Sequence, residues 1–242
     1  MATSEVERIL AEYARREATL PRDFYSLRRP ANLFADQQRT RALLHLLDRE
    51  RLFPLTAKKI LDVGCGDGEQ LLRLENWGAQ AANLAGIDLI ESRMARAAAR
   101  FGDADRPGAP DLHLGDASTL PWPNSTFDIV LQSTVFTSIM DIEMKQAIAR
   151  EILRVLKPTG VFVWYDFLFD NPRNPHVRGI GAREIRRLFP DCGIRLNRIT
   201  LAPPIARRLV PITWTGALVL ERLSIFNTHY LATIRKREGS RS

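Results

Sequence analysis

The 242-residue sequence predicts a single α/β domain with extra segments at its ends, and three observations carry that prediction. First, Ile60-Leu61-Asp62-Val63-Gly64-Cys65-Gly66-Asp67-Gly68 reads as the end of a buried strand followed by a tight glycine turn, and Glu69-Gln70-Leu71-Leu72-Arg73-Leu74 then opens a helix. Such a corner brings backbone close to a ligand and points free helix N–H groups at it. Second, the strand over 84–88 ends in Asp88, 20 residues after Gly68. That position suits a carboxylate accepting both hydroxyls of a ribose. Third, short apolar runs alternate with segments of helical period as far as residue 234, the pattern of strands joined by helices.

Taken in order, residues 5–18 place Val6, Ile9, Leu10 and Tyr13 at helical spacing, and 21–34 read as a loop bearing Pro21 and Pro30. A second amphipathic helix is expected over 35–52, stopped by Pro54. These helices form a cap over residues 1–55, ahead of a nucleotide-binding domain over 56–235. Strands are expected over 58–63, 84–88, 111–114, 127–131, 161–167, 194–201 and 228–234. Helices are expected from 69 to 77 and over 91–101, 141–156 and 182–189. Asp141 is the side-chain cap of the third of these. Residues 102–110 and 170–179 are polar loops, 203–224 is an apolar helical insertion, and 236–242 is a basic tail.

Bulk properties narrow the class. Hydrophobic residues make up 45% and charged residues 26%, ordinary for a globular chain. No run approaches the roughly 20 apolar residues of a membrane span. Residues 1–16 are charged and helical rather than signal-like. Two cysteines, Cys65 and Cys192, make no disulfide framework, and a cytoplasmic setting is expected. The net charge is +7, with arginine pairs at 15–16, 28–29, 186–187 and 207–208. Solvated surface is the plain reading; an anionic substrate, an acidic membrane surface or nucleic acid are the functional ones. Aromatic residues do not interleave with these pairs as a single-strand-binding face requires.

The glycine spacing separates two nucleotide families. A dinucleotide fingerprint needs Gly or Ala at position 69, where this chain has Glu69. The run Asp62-x-Gly64-x-Gly66-x-Gly68 instead resembles the first motif of class I S-adenosylmethionine (SAM) dependent methyltransferases, of the small-molecule type. Further along, Gly115-Asp116-Ala117 resembles the family's third motif, Leu120-Pro121-Trp122-Pro123 its turn before the fourth strand, and Leu156-Lys157-Pro158-Thr159-Gly160 its turn into the fifth. The likeness covers about 110 residues, with Thr159 in place of a usual glycine. It implies a doubly wound, Rossmann-like seven-stranded sheet of order 3-2-1-4-5-7-6, the last strand antiparallel between the fifth and sixth. It also implies SAM as cofactor and S-adenosylhomocysteine as product. Asp62, Gly64, Cys65, Gly66 and Gly68 form the cofactor turn. Asp88 would hold the ribose, Leu89 would lie on the adenine face, and Asp116 and Ala117 would read the adenine edge. Gln132, at the ligand-facing end of the fourth strand, and Arg39, in the cap beside Tyr13, Tyr25 and Gln38, complete the expected cofactor-binding set.

Methyl transfer from a sulfonium needs alignment and exclusion of water rather than a metal, and no metal is expected. A hydroxyl acceptor benefits from a general base. The catalytic candidates are His176, Asp166 and Tyr165, at or after the end of the fifth strand; His45, His113 and His229 read as structural, and Cys65 as a packed thiol. Arg173 and Arg178 flank His176 and suit an anionic group. With the apolar insertion they suggest an anionic or amphipathic small molecule, such as a nucleotide-sugar or lipid-linked sugar. The 170–179 loop and the chain's ending resemble bacterial methyltransferases of surface-polysaccharide or natural-product biosynthesis. A peripheral membrane contact fits the same features. A nucleic-acid acceptor is disfavoured, because Gln132-Ser133-Thr134-Val135 lacks the Asn/Asp-Pro-Pro-Tyr/Phe signature of base-amino methylation. A SAM-binding protein without catalysis is a third reading.

Overall fold

The computed structural model describes residues 4–21, 23–102, 108–171 and 174–237. Its centre is a seven-stranded sheet of β1 (Ile60–Val63), β2 (Leu84–Asp88), β3 (Asp111–Leu114), β4 (Phe127–Ser133), β5 (Leu156–Phe167), β6 (Cys192–Leu201) and β7 (Asn227–Lys236). The spatial order is β3-β2-β1-β4-β5-β7-β6. Strands β1 to β5 pair in parallel, and β7 pairs antiparallel with both β5 and β6. The order reverses at β1, so the crevice beyond the C-terminal ends of β1 and β4 is the place such a sheet offers a ligand.

Strand β5 shows how sequence assigns the two faces. Phe162 and Trp164 enter one core with Phe136 and Phe189, whereas Val161, Val163 and Tyr165 enter the other with Leu43, Leu47, Leu71 and Met94. Period-two alternation does this in any strand buried on both sides. The Phe136 and Trp164 rings lie 4.6 Å apart, and truncating Trp164 to alanine would cost about 3–5 kcal/mol.

The sheet-covering helices are α3 (Glu69–Asn76), α4 (Glu91–Phe101), α5 (Ile142–Val155) and α6 (Ala182–Leu188). Ahead of the sheet stand α1 (Glu5–Thr19) and α2 (Pro30–Arg49). Ser4 and Glu7 close a reciprocal cap on α1: Glu7 N donates to Ser4 Oγ, and Ser4 N to the Glu7 carboxylate. The first turn is also tied to the sheet edge. Arg8 donates to Ser138 O at 2.6 Å and bridges Glu5, which accepts from Met140 N.

Of the boundaries that differ from the sequence reading, three have a clear local reason. Helix α2 begins at Pro30 rather than 35, because proline is well placed at the first helical position. It ends at Arg49 rather than 52, with Arg51 in the left-handed region at φ 55°. Residues 156–160 belong to β5 rather than to a turn, with a register shift between the Phe127 and Ile129 pairings. Between β6 and β7 lie α7 (Pro203–Leu209), α8 (Trp214–Glu221) and a 3-10 turn, Ser224–Phe226. They pack around Phe34 of α2 with Leu201, Ala206, Val210 and Ala217. Residues 103–107 of the 102–110 loop, Arg173, and residues 238–242 of the basic tail lie outside the described residues. Among the described residues, no helix is long and apolar enough to cross a membrane.

Candidate functional site

A cleft of about 650 Å³, its open mouth included, lies at the C-terminal ends of β1, β2 and β4. Its floor is the turn after β1. Gly64, Gly66 and Gly68 all have positive φ (71°, 54° and 74°), a conformation costly for residues with a Cβ. Each glycine meets a different neighbour. A Cβ on Gly64 would sit 2.3 Å from Val135 Cγ2, and one on Gly68 would press Phe101 and Ala97 of α4 at 3.1–3.2 Å. One on Gly66 would meet only Arg93 Nη1, at 3.8 Å. Gly64 and Gly68 therefore serve close packing, and Gly66 leaves open space beside the cleft.

Asp88 fixes the turn to β2. Its Oδ2 accepts from Gly66 N and its Oδ1 from Ile90 N, both at 2.9 Å. A carboxylate offers about four acceptor sites, so each oxygen keeps capacity for a ribose hydroxyl. Asp116 accepts from Ser118 N through Oδ1 at 2.8 Å and lines the cleft with Gly115 and Ala117. Leu89, Ile139, Met144 and Ile148 supply apolar walls suited to a planar base.

Beneath the turn, Asp62 is wholly buried, and that burial pushes its carboxyl up to about 7, with Arg39 acting to lower it and Asp88 to raise it. Cys65 packs against Met94, and burial raises its thiol well out of the reactive range. It contributes backbone, not chemistry, to the turn. Gln132 spans strands: Val135 N donates to its Oε1 at 3.0 Å, and its amide reaches Tyr165 O at 3.4 Å. It holds the corner that carries Thr134 and Val135 rather than facing the cleft. Thr134 has φ 58°, a local strain of the kind found at ligand sites.

The cap closes one side. Ile9 and Tyr13 of α1 line the cleft, Arg93 stands over the Tyr13 ring at 4.5 Å, and the Tyr13 hydroxyl lies 3.4 Å from Ser138 Oγ. Arg93 Nε is buried without a hydrogen-bond partner. Sequence reasoning named Tyr13 but missed Arg93 and Ser138; only the position of Arg93 in the first turn of the helix after Asp88 hinted at it. Tyr25, by contrast, is exposed and bonds Arg16, away from the cleft.

The three catalytic candidates fall in three different places. Asp166 is fully buried on the α5 side of the sheet, accepting from Thr137 N, Thr137 Oγ1 and Phe167 N. Burial pushes its carboxyl up to about 7 against those hydrogen bonds. Tyr165, one residue earlier, faces the α2 side. Its hydroxyl lies 2.9 Å from Thr200 Oγ1, its ring stacks on His229 at 4.7 Å, and burial pushes its phenol up to about 12. Arg39 stands 5.4 Å over that ring and donates to Ser133 Oγ at 3.2 Å. His229 is held neutral, its pKa driven down to about 3 by burial and then by Arg39. His176 is exposed, with Nε2 at 3.7 Å from Glu12 Oε2. Among the described residues no cluster of three or more His, Cys, Asp or Glu side chains has metal-binding geometry.

A mostly parallel sheet reversing at β1, a glycine turn bonded to a strand-end carboxylate and an apolar slot beside a second carboxylate are features of a Rossmann-like, methyltransferase-type fold. Residues 61–164 match the family model described as a methyltransferase domain. The chain is 33% identical over 129 residues to the 27-O-demethylrifamycin SV methyltransferase of Amycolatopsis mediterranei, covering 52% of this chain and 46% of that one. It is 28% identical over 176 residues to the demethylmenaquinone methyltransferase of Leptospira interrogans, covering 71% and 68%. The chain thus spans less than half the length of the first of these relatives. Among solved structures, a SAM-dependent methyltransferase from Archaeoglobus fulgidus superposes with a TM-score of 0.57 at 16% identity, covering 85% of this chain and 98% of that one. The [4+2]-cyclase SpnF superposes at 0.60 with 24% identity, covering 84% and 83%. Over residues 61–164 the chain thus resembles methyltransferase domains, and its fold is that of solved SAM-dependent methyltransferases.

Proposed function

We propose that the chain methylates a hydroxyl oxygen of a small molecule, held beyond the ends of β4 and β5 and covered by the N-terminal helices over residues 1–55. The observation carrying this reading is the Asp88 carboxylate locked to the glycine turn by two backbone N–H bonds, with the apolar slot and Asp116 beside it. The residues fit the cofactor: acceptor oxygens lie where a ribose would bind, and Arg93 Nε is a buried donor without a partner. The Asp62 and Asp88 carboxylates suit a cationic ligand. When bound, the cofactor supplies a methyl group already activated on a sulfonium. The protein's own contribution is to bind, orient and keep water out.

In this reading Asp166 is a positioning residue. It holds the backbone of Thr137, and so the 134–138 corner that gives Thr134, Val135 and Ser138 to the cleft. Tyr165, His229 and Arg39 form the inner wall of the acceptor side, where a neutral imidazole and a guanidinium favour an anionic or hydrogen-bonding acceptor. His176 is the base candidate, since its imidazole is exposed and has Glu12 as a partner. Relatives named as O-methyltransferases, from Aspergillus sclerotiorum and Penicillium expansum, support oxygen as the acceptor atom. The relatives' printed acceptors support a natural-product or other biosynthetic intermediate over nucleic acid, and a cytoplasmic setting goes with that reading. The SpnF likeness supplies the competing view, that this fold holds cofactor beside a different reaction.

The test is incubation with SAM and a panel of sugar nucleotides, phenols and hydroxylated polyketides, read by mass spectrometry. An acceptor heavier by one CH2 group, formed together with S-adenosylhomocysteine, is the expected result. In the same assay His176→Ala should lower kcat/KM and remove the acid limb of its pH profile, because only an unprotonated imidazole acts as a base. An unaltered pH profile would remove His176 from catalysis.

A further inference from the structure

Helix α8 has the sequence Trp214-Thr215-Gly216-Ala217-Leu218-Val219-Leu220-Glu221. A helix apolar all round is normally buried all round. Here only Ala217 is fully buried, in the cluster around Phe34 and Trp214. Its outer side continues a stripe of exposed residues at helical spacing, Ile212, Thr215, Val219 and Leu223, with Ile225 just beyond. Ile212 is 82% and Ile225 74% exposed, values far above those of the core aliphatics. Arg208 and Arg222 flank the stripe in sequence, and Arg207 beside them stands over the Phe24 ring at 5.5 Å; all three are exposed and without an ion-pair partner among the described residues. The insertion's single acid, Glu221, is turned inward and accepts from Leu201 N at 3.3 Å. The charges that the insertion itself turns outward are therefore all cationic, beside an apolar stripe.

Topology sets where that face lies. The insertion leaves β6 after Leu201 and re-enters β7 at Asn227, which pair with each other, while Phe167 at the end of β5 pairs with His229. All of this sits at the sheet edge where the cleft opens. Apolar side chains flanked by arginines match an anionic lipid surface, which accepts both. A second copy of the same face would set arginines against arginines, an arrangement that costs rather than gains.

We propose that the outer face of α8 and the following 3-10 turn docks the protein on an anionic membrane surface, with the ligand-facing edge of the sheet near the lipid. The docking itself does not depend on the acceptor; only its use in delivering an amphipathic acceptor rests on the function proposed above. The test is co-sedimentation of the full chain with vesicles of phosphatidylcholine alone or mixed with phosphatidylglycerol, at low and high salt. SAM titration of each variant serves as the check on folding. The wild type should pellet with the anionic vesicles and be released by salt. Val219→Asp with Leu223→Asp should weaken binding by about tenfold or more with SAM affinity kept. Replacing Arg207, Arg208 and Arg222 together by glutamine should act in the same direction. Failure of the wild type to pellet with anionic vesicles at low salt would overturn the proposal, as would aspartate variants that pellet as well as it does. Self-association abolished by those variants, without lipid binding, would assign the face to a second copy instead.

Discussion

The two halves of the sheet edge are built in opposite ways. On the β1–β2–β3 side, the cleft presents backbone and short carboxylates fixed to backbone: Gly66 N and Ile90 N on Asp88, Ser118 N on Asp116. On the β4–β5–β7 side, the wall is made of long side chains from distant segments: Arg39 from α2, Tyr165 from β5, Thr200 from β6 and His229 from β7. Backbone-built sites need particular residues at particular spacings, whereas side-chain walls need only groups that pack. The first half can be shared by many proteins, and the second is free to vary with the acceptor.

That contrast predicts graded effects. Gly64→Ala should be the most damaging single change on the cofactor side. It places a Cβ against Val135 at a positive φ and should cost about 2–3 kcal/mol, read by thermal denaturation, with loss of SAM binding. Asp166→Ala leaves Thr137 N and Phe167 N without their acceptor and should cost about 2 kcal/mol, with SAM affinity largely kept. If SAM binding fell as steeply as for Gly64→Ala, the two halves would not be separable.

Asp62 sharpens the comparison through pH. Its folded pKa, about 7, lies above the ordinary carboxyl value of 3.8, so the native state holds the extra proton between those values. The sign follows: this group's contribution to stability is present below about 4 and is lost as pH rises toward 7. A cationic ligand favours the ionised form, so SAM affinity should rise about tenfold per pH unit up to about 7, with proton release on binding. Asp62→Asn should abolish both, as read by calorimetry in buffers of different ionisation enthalpy. The smallest effect is expected for Tyr165→Phe, which removes one hydrogen bond to Thr200. About 1 kcal/mol of stability and a change in acceptor KM without a change in SAM affinity are predicted.

Legibility in the sequence follows the same division. The glycine turn, Asp88 and Asp116 could be read because backbone sites leave spacing in the chain, and the strand order came with the family resemblance. Strand β2 and helix α4 fell on their expected residues because uninterrupted periodicity marks them. The side-chain wall proposed for the acceptor could not be read. Tyr165 and Asp166 looked equivalent in sequence, yet adjacent strand positions face opposite cores. His229 read as structural because strand order alone does not say that its ring stacks on Tyr165. Ser138 and Arg93 carry no motif, and their place in the cleft depends on how α1 is tied down at Glu5 and Arg8.

The central claim is that the carboxylate ending β2 holds the cofactor's ribose. Calorimetric titration of the wild type and Asp88→Ala with SAM and S-adenosylhomocysteine tests it most directly. Losing two charge-assisted hydrogen bonds predicts a drop of about a hundredfold or more in affinity for both ligands. Equal affinities in a folded Asp88→Ala protein would contradict the account.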